Sequence, residues 1–169
     1  MNLPKRKQIR LEGYDYSSCG AYFITICTQN KCKILSNIVG DGSPVPFEPP
    51  ALQLTNAGTI VENLINEISF KYAVAMIDKY VIMPNHIHLI LQIIENNGTG
   101  NPSPTVGTII AWLKYQATKQ INLLNCTCGN RVFQRSFYDH IIRDECDYEE
   151  IWQYIDENPL KWEQDCFFE

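Results

Sequence analysis

Residues 83–91 read Met-Pro-Asn-His-Ile-His-Leu-Ile-Leu (MPNHIHLIL) and hold two of the three histidines in the 169-residue chain. The segment that begins at His86, HIHLILQII (86–94), is rich in β-branched apolar residues and predicts a strand. The preceding segment, YAVAMIDKYVIM (72–83), predicts another strand, and Pro84-Asn85 between them favours a tight turn. The stretch therefore predicts a β-hairpin whose second strand starts at His86.

The segments on either side of this hairpin complete an α+β pattern. Strands are predicted at 21–28 and 137–142, and helices at 56–69, 105–124 and 147–157. Either Asp144 or Asp147 can cap the last helix, and Pro159 ends it. The first six elements follow the order βαββαβ, which predicts a ferredoxin-like sandwich: an antiparallel sheet with helices on one face. The last helix is an addition at the C-terminus.

Length and composition predict one domain over residues 1–169. Proline and glycine cluster in 37–50 and 96–104, so we predict two flexible loops there. The basic N-terminus lacks the apolar segment of a secretory signal, and no apolar run reaches the roughly 18 residues of a membrane span. The seven cysteines are odd in number and include no C-x-x-C pair, which indicates free thiols, buried or half-buried, in a reducing compartment. Together these features predict a cytoplasmic protein.

Charge is unevenly distributed along the chain. The net charge of −5 by itself disfavours a nucleic-acid partner. However, residues 101–143 carry five Lys or Arg against one Asp, whereas residues 144–169 carry one Lys against ten acids. This distribution permits a basic face, and it is equally compatible with a surface of mixed charge.

Two pairs of polar residues have spacings that suit a metal-binding or catalytic site. His86 and His88 are i and i+2 in a strand, so their imidazoles project from one face and could supply half of a divalent-metal site. The alternative is a pair of structural histidines with ordinary hydrogen-bond partners.

Tyr154 and Asn158 are i and i+4 on one helix face, where an amide oxygen could join the metal and a hydroxyl could lie beside it. The alternatives are a core tyrosine and a helix-end asparagine. Oxygen ligands beside two histidines favour Mg²⁺ or Mn²⁺.

Three motifs in this order carry a family resemblance: MPNHIH (83–88), YDHIIR (138–143) and YI-x-x-NP-x-KW (154–162). With them, nearly the whole chain resembles the REP-associated tyrosine transposases, which are single-tyrosine, IS200-like members of the HUH endonuclease superfamily. The resemblance implies the ferredoxin-like fold with the tyrosine on a following helix. It also implies that His86, His88 and Asn158 hold the metal and that Tyr154 is the nucleophile.

The activity implied by the resemblance is metal-dependent nicking and rejoining of single-stranded DNA through a 5′-phosphotyrosine intermediate, guided by DNA hairpins. A basic, aromatic surface suits such a substrate, and the candidate DNA-binding residues are Lys114, Lys119, Arg135 and Arg143. His140 either orients a site group or packs. The chain could act as a monomer or as a homodimer that exchanges tyrosine helices. The alternative function is a catalytically silent protein that binds hairpin nucleic acid on the same fold.

Overall fold

The structure is a computed structural model that describes residues 14–39, 51–95 and 104–168. Nine helices and strands are defined within these ranges: β1 Gly20–Cys27, β2 Ser36–Val39, β3 Ala51–Leu54, α1 Asn56–Lys71, β4 Ala75–Ile82, β5 His86–Ile93, α2 Val106–Leu124, β6 Tyr138–Ile142 and α3 Glu145–Glu157. None of the helices in these ranges combines the length and apolar character that a bilayer span requires.

A four-stranded antiparallel sheet in the order β4-β5-β1-β6 forms the centre of the fold. Strand β5 lies inside this sheet and pairs with β4 on one side and with β1 on the other. The turn predicted at Pro84-Asn85 closes the β4–β5 hairpin, where the Met83 amide donates to the His86 carbonyl at 2.9 Å. The predicted hairpin and the βαββαβ order are confirmed.

The two faces of the sheet have different coverings. Helices α1 and α2 cover one face, where Ile87, Leu89 and Leu91 of β5 join the larger apolar core. On the other face, Ile90 packs in a smaller cluster that includes Ile155 of α3. Side chains alternate along a strand, so His86 and His88 point away from Ile87 and Leu89 and lie on the α3 face of the sheet.

The ends of the predicted elements shift by a few residues at most. Helix α3 begins at Glu145, because the side chain of Asp144 accepts from the Asp147 amide at 2.9 Å and caps the helix there. Asn158 keeps helical backbone angles (φ −56°, ψ −42°) although it precedes Pro159. All seven cysteines are free thiols, as predicted, but six are exposed and only Cys27 is half-buried, so their predicted burial is wrong.

The segment 37–50 was expected to hold no regular structure, and this prediction is wrong for its first residues. Residues 37–39 belong to β2, which pairs antiparallel with β3 in a separate two-stranded sheet inserted between β1 and α1. Ile38 and Val39 favour an extended backbone, and the partner strand provides the hydrogen bonds that local sequence cannot reveal. Residues 40–50 and 96–103 of the predicted loops lie outside the described ranges.

The start of α1 is packed tightly against the segment that precedes β2. Thr55 caps the helix by accepting from the Gly58 amide at 3.1 Å, and its hydroxyl also lies 3.0 Å from the Leu35 carbonyl, to which it can donate. A Cβ atom on Gly58 would lie 2.0 Å from that same carbonyl oxygen. The absence of a side chain at Gly58 therefore permits this close approach.

We predict that Gly58→Ala destabilises the protein by about 1–3 kcal/mol, because the added methyl group forces the helix away from Leu35. Elsewhere in a helix the same change stabilises by about 0.5–1 kcal/mol, so the sign is diagnostic. Urea denaturation would measure the change, with Glu67→Ala on the exposed face of α1 as the control. A more stable Gly58→Ala variant would contradict the close approach.

Candidate active site

His86 and His88 lie side by side at the beginning of β5. Their ring centroids are 4.5 Å apart, and the two residues are only 0% and 1% exposed. The prediction that both imidazoles project from one strand face is confirmed. Two buried imidazoles on a strand that is paired along both edges have little freedom to move, which suits a site with fixed geometry.

Hydrogen bonds hold these imidazoles in one tautomer. Asn85 donates its amide to the Phe167 carbonyl at 2.8 Å, which orients the Asn85 Oδ1 atom toward His86 Nδ1, 2.8 Å away. Since Oδ1 can only accept, the proton of His86 lies on Nδ1. His88 Nδ1 lies 2.9 Å from the Thr25 hydroxyl, which can accept from an Nδ1 proton or donate to an Nδ1 lone pair. With the proton of each ring on Nδ1, both rings turn an Nε2 lone pair toward the same space.

A carboxylate from the C-terminal segment faces the two histidines. Asp165 and the histidines offer ligand atoms that all lie within 4.8 Å of one another, with 3.7 Å between His86 Nε2 and Asp165 Oδ2. The Phe167 amide donates to Asp165 Oδ1 at 2.8 Å and thereby holds the carboxylate in place. Sequence reasoning missed Asp165, whose only signal was a position seven residues after Asn158 in a strongly acidic segment.

Tyr154 and Asn158 project from α3 into the same site. The Tyr154 hydroxyl lies 3.3 Å from His88 Nε2, and the Asn158 side-chain nitrogen donates to Asp165 Oδ2 at 2.9 Å. Tyr154 is 41% exposed, so an incoming substrate can reach its hydroxyl. The structure therefore brings together all four residues that the sequence singled out for chemistry, and it adds Asp165.

A divalent cation fits this donor set. His86 Nε2 and Asn158 Oδ1 are buried, and neither has a hydrogen-bond partner in the part of the chain that the structure describes. Buried polar atoms without partners are costly, and a cation between them would remove that cost. Imidazole nitrogens combined with carboxylate and amide oxygens suit Mg²⁺ or Mn²⁺ better than a structural zinc site.

Burial also sets the protonation states of the site. It lowers the pKa of His86 to about 4, against the opposing effect of the Asp165 carboxylate. Burial, and then the neighbouring charge of His86, lower the pKa of His88 well below its usual value. Both rings are therefore neutral at physiological pH, which metal ligation requires. Burial, together with the Asp165 charge, raises the pKa of Tyr154 to about 12, so its hydroxyl keeps its proton.

The predicted DNA-binding residues differ in how exposed their side chains are. Lys114 is half-buried and donates to the carbonyls of Gln134, Arg135 and Ser136, so its ammonium group holds this loop against α2. Lys119, Arg135 and Arg143 are exposed. Contact with DNA stays a prediction for all four residues.

His140 pairs with an acid of the neighbouring helix. Its Nε2 atom lies 2.9 Å from Asp147 Oδ2, which ties β6 to the first turn of α3. The sequence left two roles open for His140, orienting a site group or packing. This contact favours the first role, because α3 carries Tyr154.

A groove of about 480 Å³ lies between α2 and the loop 129–135 and is lined by Tyr115, Arg131 and Arg135, among others. The loop joins the His86 end of the sheet, because the Gln134 amide donates to the carbonyl of Cys27, the residue paired with His86. The groove therefore carries two arginines and lies at the same end of the sheet as the histidines.

Comparison with known proteins gives one nearly full-length and one partial match of sequence, and a match of fold. No protein-family model matches the chain. An uncharacterized Haemophilus influenzae protein is 36% identical over 179 residues, which cover 95% of this chain and 91% of that protein. A putative REP-associated tyrosine transposase of the same bacterium is 35% identical over 89 residues, or 47% of each chain. A solved REP-associated tyrosine transposase bound to a REP hairpin has 21% identity and a TM-score of 0.62, covering 90% of this chain and 74% of its own.

We predict that Asp165→Asn weakens Mn²⁺ binding by at least about tenfold, because the site loses its carboxylate charge. Isothermal titration calorimetry with the purified protein would measure the affinity. Glu163→Gln is the matched control: it removes one negative charge from the same C-terminal segment, but from an exposed position. Equal affinities for the two variants would count against Asp165 as a ligand.

A second prediction concerns Asn85, which touches His86 but is not itself placed as a ligand. Asn85→Ala removes the acceptor that keeps the His86 proton on Nδ1, and we expect Mn²⁺ affinity to fall by about 10–100-fold. Unchanged affinity in the same titration would show that the Asn85 contact does not orient the ring.

Proposed function

We propose that the chain belongs to the IS200-like family of REP-associated tyrosine transposases, which its partial sequence match and its fold support, and that it nicks and rejoins single-stranded DNA through a covalent bond to Tyr154. One observation carries the proposal: the Tyr154 hydroxyl lies 3.3 Å from His88 Nε2, at the edge of a buried His-His-Asp cluster. A nucleophile beside a cation site is the arrangement that phosphoryl transfer requires.

His86, His88 and Asp165 would hold the divalent metal, and the Asn158 Oδ1 atom is placed to join them. When bound, Mg²⁺ or Mn²⁺ supplies positive charge that polarises the scissile phosphate and stabilises the charge of the transition state. Asn85 and Thr25 keep the imidazole protons on the outer nitrogens, so that the inner ones remain available.

Tyr154 supplies the nucleophile from α3. Its oxygen attacks phosphorus, the bond from phosphorus to the 3′ oxygen breaks, and the proton of the tyrosine hydroxyl passes to the leaving 3′ oxygen. The products are a 5′-phosphotyrosine and a free 3′-OH. In the reverse step a 3′-OH attacks the phosphotyrosine, the DNA strand is rejoined and the tyrosine regains its proton. Because the phosphodiester bond is exchanged rather than hydrolysed, rejoining needs no further energy source.

The site is complete within one chain. Tyr154 of α3 reaches His88 of the same chain, so we propose that the tyrosine acts in cis and that a monomer suffices. The solved relative is bound to a REP hairpin, and we propose hairpin DNA as the guide for this chain as well. The basic groove between α2 and the loop 129–135 is a suitable surface for its phosphates.

Covalent capture tests this function. We predict that wild-type protein mixed with labelled single-stranded hairpin oligonucleotides and Mn²⁺ retains label on a denaturing gel. Tyr154→Phe should abolish the adduct because it lacks the nucleophile, and His86→Ala should abolish it because it lacks a ligand. Tyr138→Phe is the control, since Tyr138 is an exposed tyrosine that contacts Phe23 as Tyr154 does.

An adduct that survives in Tyr154→Phe would overturn the assignment of the nucleophile. Hairpin binding without an adduct in any oligonucleotide would favour the alternative, a catalytically silent protein that binds nucleic acid. The gel and a binding assay on the same oligonucleotides therefore separate the two functions.

A further inference from the structure

A second cavity, of about 490 Å³, opens beside the histidines between β2 and the turn that follows α3. Its lining includes Lys33, Ser36 and Asn37 from one side and Lys161, Trp162 and Phe168 from the other. None of these residues has a place in the chemistry of Tyr154. The volume lies within the range of small-molecule sites, which run from about 300 to 1,000 Å³.

Aromatic rings and a cation line this cavity together. The Trp162 and Phe168 rings meet edge to face, with centroids 5.3 Å apart. The Lys33 ammonium lies 4.9 Å from the Phe168 ring centroid and 5.9 Å from that of Trp162. Phe168 is 42% exposed, which leaves part of its surface open to solvent.

The cavity adjoins the metal cluster through a single ring. Trp162 is tilted by 31° against the His86 imidazole, with centroids 5.9 Å apart. Phe168, which also lines the cavity, directly follows Phe167, and the Phe167 ring centroid lies 4.6 Å from that of His86. A group held in the cavity would therefore lie next to whatever is bound at the histidines.

Polar groups are available in the same lining. The Ser36 hydroxyl is buried and finds no hydrogen-bond partner among residues 14–39, 51–95 and 104–168. Asn37 is exposed beside it. Lys33 provides a positive charge at the rings, whereas Lys161 is paired with Glu157 of α3. The combination of aromatic rings, hydrogen-bonding groups and the Lys33 ammonium matches a nucleotide: a flat base joined to a phosphate.

We propose that this cavity holds the base of one unpaired nucleotide close to the scissile phosphate, stacked on Phe168. The Lys33 ammonium, which now lies over the ring, would move to the phosphate of that nucleotide. This inference rests on the proposed function and deepens it, because it names a contact that places the DNA strand across the metal cluster. Stacking on an aromatic ring tolerates any base, so the contact positions the strand without reading sequence.

An abasic scan of the substrate tests the proposal. A set of cleavable oligonucleotides would each lack one base within three nucleotides of the cut, and adduct formation with Mn²⁺ would be timed for each. For the wild-type protein we expect one position at which loss of the base slows the reaction by about fivefold or more, the lower limit for base stacking. In Phe168→Leu, the intact and abasic oligonucleotides should react equally at that position.

Two matched variants complete the experiment. Phe168→Tyr keeps a ring and should restore the dependence on the base. Phe70→Leu changes a phenylalanine that is 91% exposed on α1, which covers the opposite face of the sheet, and should behave as the wild type.

The outcomes distinguish this inference from the proposed function. No adduct with any intact oligonucleotide would refute the proposed function itself. An adduct whose abasic profile is the same in the wild type and in Phe168→Leu would refute the stacking contact alone. If loss of one base slows adduct formation equally in the wild type and in all variants, that base binds elsewhere on the protein, and the proposal is refuted.

Discussion

The central position of β5 in the sheet is the constraint on which the rest of this site depends. Backbone hydrogen bonds on both edges fix the register of the strand. With that register, Ile87 and Leu89 enter the larger core and His86 and His88 face α3. A slip by one residue would bury both imidazoles among apolar side chains, at a cost that the core would not tolerate. The packing of isoleucine and leucine on one face therefore orients the histidines on the other.

Because the histidines are buried, each ring nitrogen needs a hydrogen-bond partner or a ligand, and their surroundings supply only some of these partners. Asn85 and Thr25 satisfy the outer ring nitrogens. His86 Nε2 has no such partner within the described residues, and ligand atoms of the two neutral imidazoles and of Asp165 lie within 4.8 Å of one another. Polar groups buried in this way usually serve a ligand, since they cost stability without one. The fit of a divalent cation follows from this imbalance.

The acidic C-terminal segment shows why charge must be judged by position. By count alone, ten acids in the last 26 residues disfavour DNA binding. The structure turns one of them, Asp165, toward the histidines, where its carboxylate would support a cation. Lys114 illustrates the converse, because its charge is already satisfied by three backbone carbonyls. A count of charges along the chain could not distinguish such buried roles from an exposed surface.

The sequence by itself determined the order of the elements, the side-by-side histidines and the shared helix face of Tyr154 and Asn158, because these follow from local periodicity and from turn residues. Only the tertiary structure decided which acid joins the histidines, how Phe167 orients Asn85 against His86 and that residues 37–39 pair with β3. These are contacts between segments far apart in the chain, and they arise only when the sheet and the C-terminal turn are packed together. Local propensity carries no information about such distant partners.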